Sequence, residues 1–170
     1  AVNLAVLQYR YLNQTAKALT SFESILARDS GKLNGLSNNM IQLHLGAAYL
    51  KAKKFDPAKK MFTATVSRDP ANVGVIDFIT NTYRSENAHK ELISFLQTVT
   101  RDIAGVGIYY ALLGETLSEK VGNHADAINA YNNAIVLDPA RSDFYNGLGL
   151  AIYRERNYDS ALKAFIKATE

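Results

Sequence analysis

Small residues recur along this chain on a fixed beat: Gly46, Thr80, Gly114 and Gly149 are spaced 34, 34 and then 35 residues apart. Each comes four positions after Gln42, Ile76, Tyr110 and Tyr145, and three before Tyr49, Tyr83, Leu117 and Ile152. A second signature trails the first: Ala58-x3-Phe62, Leu92-x3-Leu96, Ala127-x3-Tyr131 and Ala161-x3-Phe165. Two of the blocks close on Asp69-Pro70 and Asp138-Pro139. A period of this length marks a stacked helical array, because no single unit can bury its apolar face without its neighbours.

The spacing inside each block is helical. Leu45, Gly46 and Tyr49 share one face, as do Ala58, Phe62, Thr65 and Val66. A small residue lets two helices approach, and an aromatic ring one turn away fills the space. Asp56-Pro57 reads as a capping residue followed by proline at the first helical position. Pro70 and Pro139 stop the helices before them, since proline disfavours helical geometry in the preceding residue. No segment alternates apolar and polar residues between turn dipeptides, so no strand is predicted. The expectation is an all-α chain of ten helices in five antiparallel pairs, one array with repeats at about 1–30, 39–72, 73–106, 107–141 and 142–170. The repeat containing Gly114 carries one extra residue near Val121. The stretch 30–39 is rich in turn formers and reads as a tolerated loop insertion.

These residues resemble the tetratricopeptide-repeat family, whose pattern is W-x2-L-G-x2-Y, then A-x3-F, then P. The fullest copy is Gln42-x2-Leu45-Gly46-x2-Tyr49, Ala58-x3-Phe62, Pro70, which lacks only the first aromatic. Thr80, Leu92 and Ala104 depart from the pattern in the next copy. An N-terminal stretch keeps only Ala18-x3-Phe22 and a partner helix across 2–12. The resemblance spans nearly the whole chain and implies a right-handed α-α superhelix whose first helices line a concave, partner-binding groove. In texture the chain is also similar to bacterial members that act in pilus assembly and secretion.

Chemistry-bearing patterns are sparse. Hydrophobic residues make up 48% of the chain and charged residues 21%, which excludes a disordered polyelectrolyte. The net charge of +3 falls far short of a dedicated nucleic-acid binder, so no nucleic-acid partner is expected. Cysteine is absent, which removes disulfides and thiolate metal sites. No run approaches the length of a transmembrane segment, and nothing names a compartment. His89 and His124 stand where Phe55 and Tyr158 stand in neighbouring repeats, and they read as packing rings. Neither they nor His44 belongs to a ligand cluster, so no metal or cofactor is expected. No serine has a recognisable His and Asp partner. Gly105-Val106-Gly107 and Gly147-Leu148-Gly149 lack the third glycine of a dinucleotide loop and follow no predicted strand. Lys51, Lys53, Lys54, Lys59 and Lys60 read as a solvated rim. The chain starts at Ala1 and stops inside a repeat, so it is expected to be part of something longer. The last helix presents Ala161, Leu162, Phe165 and Ile166, and self-association through this open C-terminal end is expected.

The remaining candidate is the groove. Faces opposite the packing residues hold Leu43, Ala47 and Leu50, then Asp77, Asn81 and Arg84, then Ala111, Glu115 and Ser118, then Asn146, Leu150 and Tyr153. The candidate peptide-binding set is Leu43, Leu50, Asp77, Asn81, Arg84, Glu115, Asn146 and Tyr153. Some family members clamp a chaperone's C-terminal carboxylate with lysine, arginine and asparagine on these faces. Here Leu43, Ala47, Phe78, Ile108 and Leu112 occupy those places, and the clamp is absent. The expected function is a non-enzymatic interaction scaffold that binds a protein or peptide partner. The alternatives are an interaction module of a larger enzyme or of a secretion or pilus-assembly complex, and a helical-repeat RNA binder. Leu43 and Leu50 break the polar pairs an RNA code would need.

Overall fold

The computed structural model describes residues 1–29 and 35–170, and every regular element among them is helical. They form two compact units, Ala1–Ala88 and His89–Glu170. The first unit holds α1 (Val2–Arg10), α2 (Thr15–Asp29), α3 (Gly35–Lys51), α4 (Phe55–Val66) and α5 (Val73–Ser85). The second holds α6 (His89–Asp102), α7 (Gly107–Thr116), α8 (His124–Leu137), α9 (Ser142–Arg154) and α10 (Tyr158–Lys167). Short turns fold α1 on α2, α3 on α4, α7 on α8 and α9 on α10 as antiparallel neighbours. Ten helices match the expected number among the described residues. The expected loop at 30–39 is shorter than its composition suggests: 30–34 lie outside the described residues, and α3 already begins at Gly35.

The two repeat signatures prove to be halves of one lock. A Cβ placed on Gly46 would stand 2.6 Å from the Phe62 ring, and one on Gly149 would stand 2.6 Å from Phe165. The glycine is a seat for the aromatic of the following helix, and any larger residue must displace that ring. Phe62 is fully buried and meets Tyr83 of α5 edge-on, with ring centroids 5.5 Å apart. Burying such a ring contributes about 1.5–3 kcal/mol. Ala58, Thr65 and Val66 are buried beside it, as the spacing requires.

Asp56 is not the cap of α4. The helix starts two residues before Pro57, at Phe55, and Lys54 precedes it without a side-chain cap. Asp56 instead sits in the first turn, where its charge complements the helix dipole. Pro57 also lies in that turn, where a missing N–H leaves no bond unmade. The side chains that do cap helices are asparagines: Asn72, Asn123 and Asn157 accept from the N–H of Val75, Asp126 and Ser160. Asp138, just before Pro139, is pulled out of helical geometry at φ −144° and ψ 84°.

The turn that ends the first helix of a repeat needs a left-handed residue. Lys53 (φ 59°), Asn87 (φ 53°) and Arg156 (φ 63°) take that role seven positions after Gly46, Thr80 and Gly149. Gly122 (φ 74°) takes it eight positions after Gly114. The extra residue is absorbed between them, where α7 continues into a π-helical turn, Leu117–Val121. A single π turn is how a helix accommodates one inserted residue without losing its register on either side.

Candidate functional site

In the first unit, the end of α1, the middle of α3 and one face of α5 surround a pocket of about 490 Å³. Ala47 and Phe78 supply apolar surface, and Asn81, Ser85 and Glu86 supply polar groups. Its edge carries two cations. Lys51 Nζ donates to the Tyr9 carbonyl at 2.6 Å, and Arg10 Nε donates to the Tyr9 hydroxyl at 3.2 Å. The Arg10 guanidinium also lies 5.9 Å from the Tyr9 ring centre and 5.7 Å from that of Phe78. Neither cation meets a carboxylate among the described residues, whereas Glu86 is paired with Lys53 at 3.4 Å. Beneath the pocket, His44 Nδ1 is hydrogen-bonded to the Tyr9 hydroxyl at 2.9 Å, and its ring meets Phe78 edge-on at 5.4 Å. Burial, helped by the nearby Arg10 charge, holds the His44 pKa down to about 4. The imidazole is therefore neutral at neutral pH and serves as part of the wall.

In the second unit, α7, its π turn and α9 enclose a smaller pocket of about 340 Å³. Ile108, Leu112 and Leu150 make it apolar, while Glu115, Glu119 and Asp143 bring carboxylates to it. Arg141 holds Asp143 from outside through two bonds of 2.8 and 2.6 Å, and this pairing lowers the Asp143 pKa below its ordinary value. Tyr131 of α8 reaches into the same pocket beneath Gly147, where an added Cβ would stand 2.7 Å from its hydroxyl. Glycine at position 147 is what leaves the phenol its opening.

The eight candidate residues separate. Asn81 lines the first pocket, and Glu115 and Asn146 line the second. Leu43 and Leu50 do not face solvent: they are only 4% and 0% exposed, and their expected place on the groove is corrected to the core. The reason is that α3 is enclosed over most of its length, with Ile41, Leu45, Ala47 and Ala48 buried as well, and only Ala47 and Lys51 of this helix line the pocket. Asp77 is exposed and Arg84 half-buried, both outside the two pockets. Tyr153 also lies outside them, tilted against Tyr158 with ring centroids 5.4 Å apart.

Lys51, Phe78, Leu112 and Glu119 line the pockets and were missed. They sit one position beyond Leu50, Asp77, Ala111 and Ser118. Helical side chains lean toward the N-terminus, so a given spot is covered by a residue about one position further along. That tilt was the signal available in the sequence. Lys51 thus lines a pocket and is not only a solvated rim.

One Ser–His contact also escaped the sequence reading. Ser118 Oγ lies 3.1 Å from His124 Nδ1, and Arg154 donates to the same oxygen at 2.8 Å. Ser118 is only 5% exposed, so no substrate reaches it. The contact ties the π turn to α8 and α9. Among the described residues no group of His, Asp and Glu is arranged to hold a metal ion. No helix among them is long and apolar enough to cross a membrane.

Two models of the tetratricopeptide repeat match the chain, one over residues 41–72 and the other over residues 119–170. Solved structures of similar fold include a crystal structure of MamA, at 22% identity and a TM-score of 0.59, covering 94% of this chain and 90% of that one. MamA 41-end from Desulfovibrio magneticus RS-1 matches at 17% identity and a TM-score of 0.56, covering 98% of this chain and 90% of that one. At such identities the likeness concerns the fold. No curated protein matches the sequence. The repeat matches at 41–72 and 119–170, the glycine–aromatic lock inside each of them and the shared all-α solenoid fold lead to one conclusion: the chain belongs to the tetratricopeptide-repeat family.

Proposed function

We propose that this interaction scaffold is non-enzymatic and holds an extended or helical segment of a partner protein against the exposed faces of its first helices. The observation that carries the reading is that α1, α3 and α5 in one unit, and α7 and α9 in the other, each open a pocket of mixed apolar and polar lining. Asn81 and Asn146 lie in these pockets and each can donate and accept, which suits a peptide backbone whatever its side chains. The pockets differ in charged lining, with Arg10, Lys51 and Glu86 at the first and Glu115, Glu119 and Asp143 at the second. A nucleic acid would be repelled by the second, which argues against the RNA-binding alternative. The same reading includes self-association through α10, where Leu162 and Ile166 are 59% and 52% exposed.

Peptides selected from a random displayed library provide the test. A selected peptide should bind on the order of micromolar, and Asn81→Ala with Asn146→Ala should weaken it about tenfold, or roughly 1.4 kcal/mol. The melting curve should stay unchanged, since both sites are exposed. Calorimetric titrations in which the double variant binds like the parent would place the site elsewhere.

A further inference from the structure

Two cations line the first pocket, and Tyr9 holds both. Its carbonyl accepts from Lys51 Nζ at 2.6 Å, and its hydroxyl accepts from Arg10 Nε at 3.2 Å. Both acceptors are neutral, so the cations are positioned while their charge stays uncompensated. The terminal amino groups of Arg10 make no hydrogen bond among the described residues. The guanidinium is kept in place by the Tyr9 and Phe78 rings, 5.9 and 5.7 Å from their centres. Burial, and then this Arg10 charge, hold the His44 pKa down to about 4, so the field of the guanidinium reaches into the wall. Among the described residues Glu86 is the one carboxylate lining the pocket, and Lys53 engages it at 3.4 Å. Ala47 and Phe78 make the adjoining wall apolar. A fork of unused donors beside an apolar wall complements a carboxylate on a short methylene stem.

We propose that this pocket receives one aspartate or glutamate side chain from the bound segment of a partner protein, its carboxylate taken by the terminal amino groups of Arg10 and its stem lying against Ala47 and Phe78. The proposal rests on the reading of the chain as a peptide-binding scaffold. Lys51 adds to the field, since only one of its N–H groups is committed, to the Tyr9 carbonyl. Lys53 offsets the like charge of Glu86, whose main-chain carbonyl it also reaches at 3.4 Å. Asn81 makes no hydrogen bond among the described residues, which leaves its amide for the backbone beside the acidic residue. At about 490 Å³ the pocket accommodates one such side chain and its immediate neighbours. A lysine or arginine would meet like charge from Arg10 and Lys51. An apolar residue would cover the Arg10 amino groups without replacing their water.

The experiment uses the full chain and pools of peptides about 12 residues long, enough to span such a groove. They are acetylated and amidated at their ends, random but uncharged elsewhere, and differ at a central residue: aspartate, glutamate, glutamine, norleucine or lysine. Fluorescence anisotropy should show the aspartate and glutamate pools binding about tenfold tighter than the glutamine and norleucine pools, with the advantage shrinking as salt is added. Arg10→Gln, at an exposed position, should erase most of the preference, and Arg10→Glu should turn it toward the lysine pool. A variant that had merely lost its fold would show no such reversal. Lys163→Gln removes an exposed charge from the second unit and should leave the preference intact, which separates the pocket from the net charge of the chain. A glutamine pool with a free C-terminal carboxylate should bind no better than its amidated form. Binding with no preference for an acidic side chain, a preference carried by the chain end alone, or one that survives Arg10→Gln overturns the assignment and leaves the scaffold reading standing. Failure of every pool to bind sinks both.

Discussion

His44 is expected to make the first unit sensitive to acid. In the folded chain its pKa is held at about 4 against an ordinary 6.5, chiefly by burial and secondarily by the charge of Arg10. Between those values the unfolded chain binds more protons than the folded one, so stability is fully present above the unfolded pKa and is lost as the pH falls toward the folded pKa. Partial access to solvent weakens the effect, and roughly 1–2 kcal/mol is expected between neutral pH and the acid end of this window. Urea melts should show the parent losing that much more stability on acidification than His44→Gln. Equal losses in the two proteins would mean that other groups carry the acid sensitivity. At this scale the sequence was a partial guide. It marked Phe62 and Gly46 as partners, but it gave no sign that His44 would be covered by Tyr9 and Phe78, because those contacts join residues 35 and 34 positions away.

At the scale of elements, the turns carry strain that the helices do not. Arg156 adopts φ 63° at an exposed site, a conformation that costs a residue with a Cβ about 1–2 kcal/mol. Arg156→Gly should therefore raise stability by up to about 1 kcal/mol, the gain being reduced by the greater freedom of glycine in the unfolded chain. Gly122 holds the equivalent place with φ 74°, and an added Cβ would meet nothing within 4 Å. Gly122→Ala should consequently cost about 1–2 kcal/mol from backbone strain alone. Thermal melts moving in opposite directions for the two variants would bear this out, and a stabilising Gly122→Ala would refute it. The extra residue near Val121 was visible as a 35-residue interval, but its conversion into a π turn was not. An inserted residue can lengthen a loop as easily as widen a helical turn, and hydrogen bonding around Leu117 decides between them: its carbonyl accepts from both Gly122 and Asn123.

For the whole molecule, the apolar face of α10 is the clearest consequence of repetition. Ala161 and Ala164 are buried within the unit, whereas Leu162 and Ile166 stand open to solvent. Repeat arrays cover such a face with the next helix or with another copy. Sedimentation should show concentration-dependent association of this chain, and Leu162→Asp with Ile166→Asp should hold it monomeric. A parent protein that stays monomeric at every concentration would remove self-association from the functional reading.

The sequence by itself determined the repeat, the helices and the seats of the aromatic rings. Those features depend on local spacing, which a helix converts directly into a shared face, as Gly46 with Phe62 and Gly149 with Phe165 show. It also named Asn81, Glu115 and Asn146, which line the two pockets. Only the tertiary structure decided which side of each first helix remained open. Leu43 and Leu50 disappear because neighbours surround α3 on several sides, and one helix's periodicity carries no record of how many neighbours it will have. Tyr131 belongs to the packing motif in sequence, yet the absence of a Cβ at Gly147, 16 residues on, lets its hydroxyl reach a pocket. Period and packing are written locally, whereas accessibility is a property of the assembled helices.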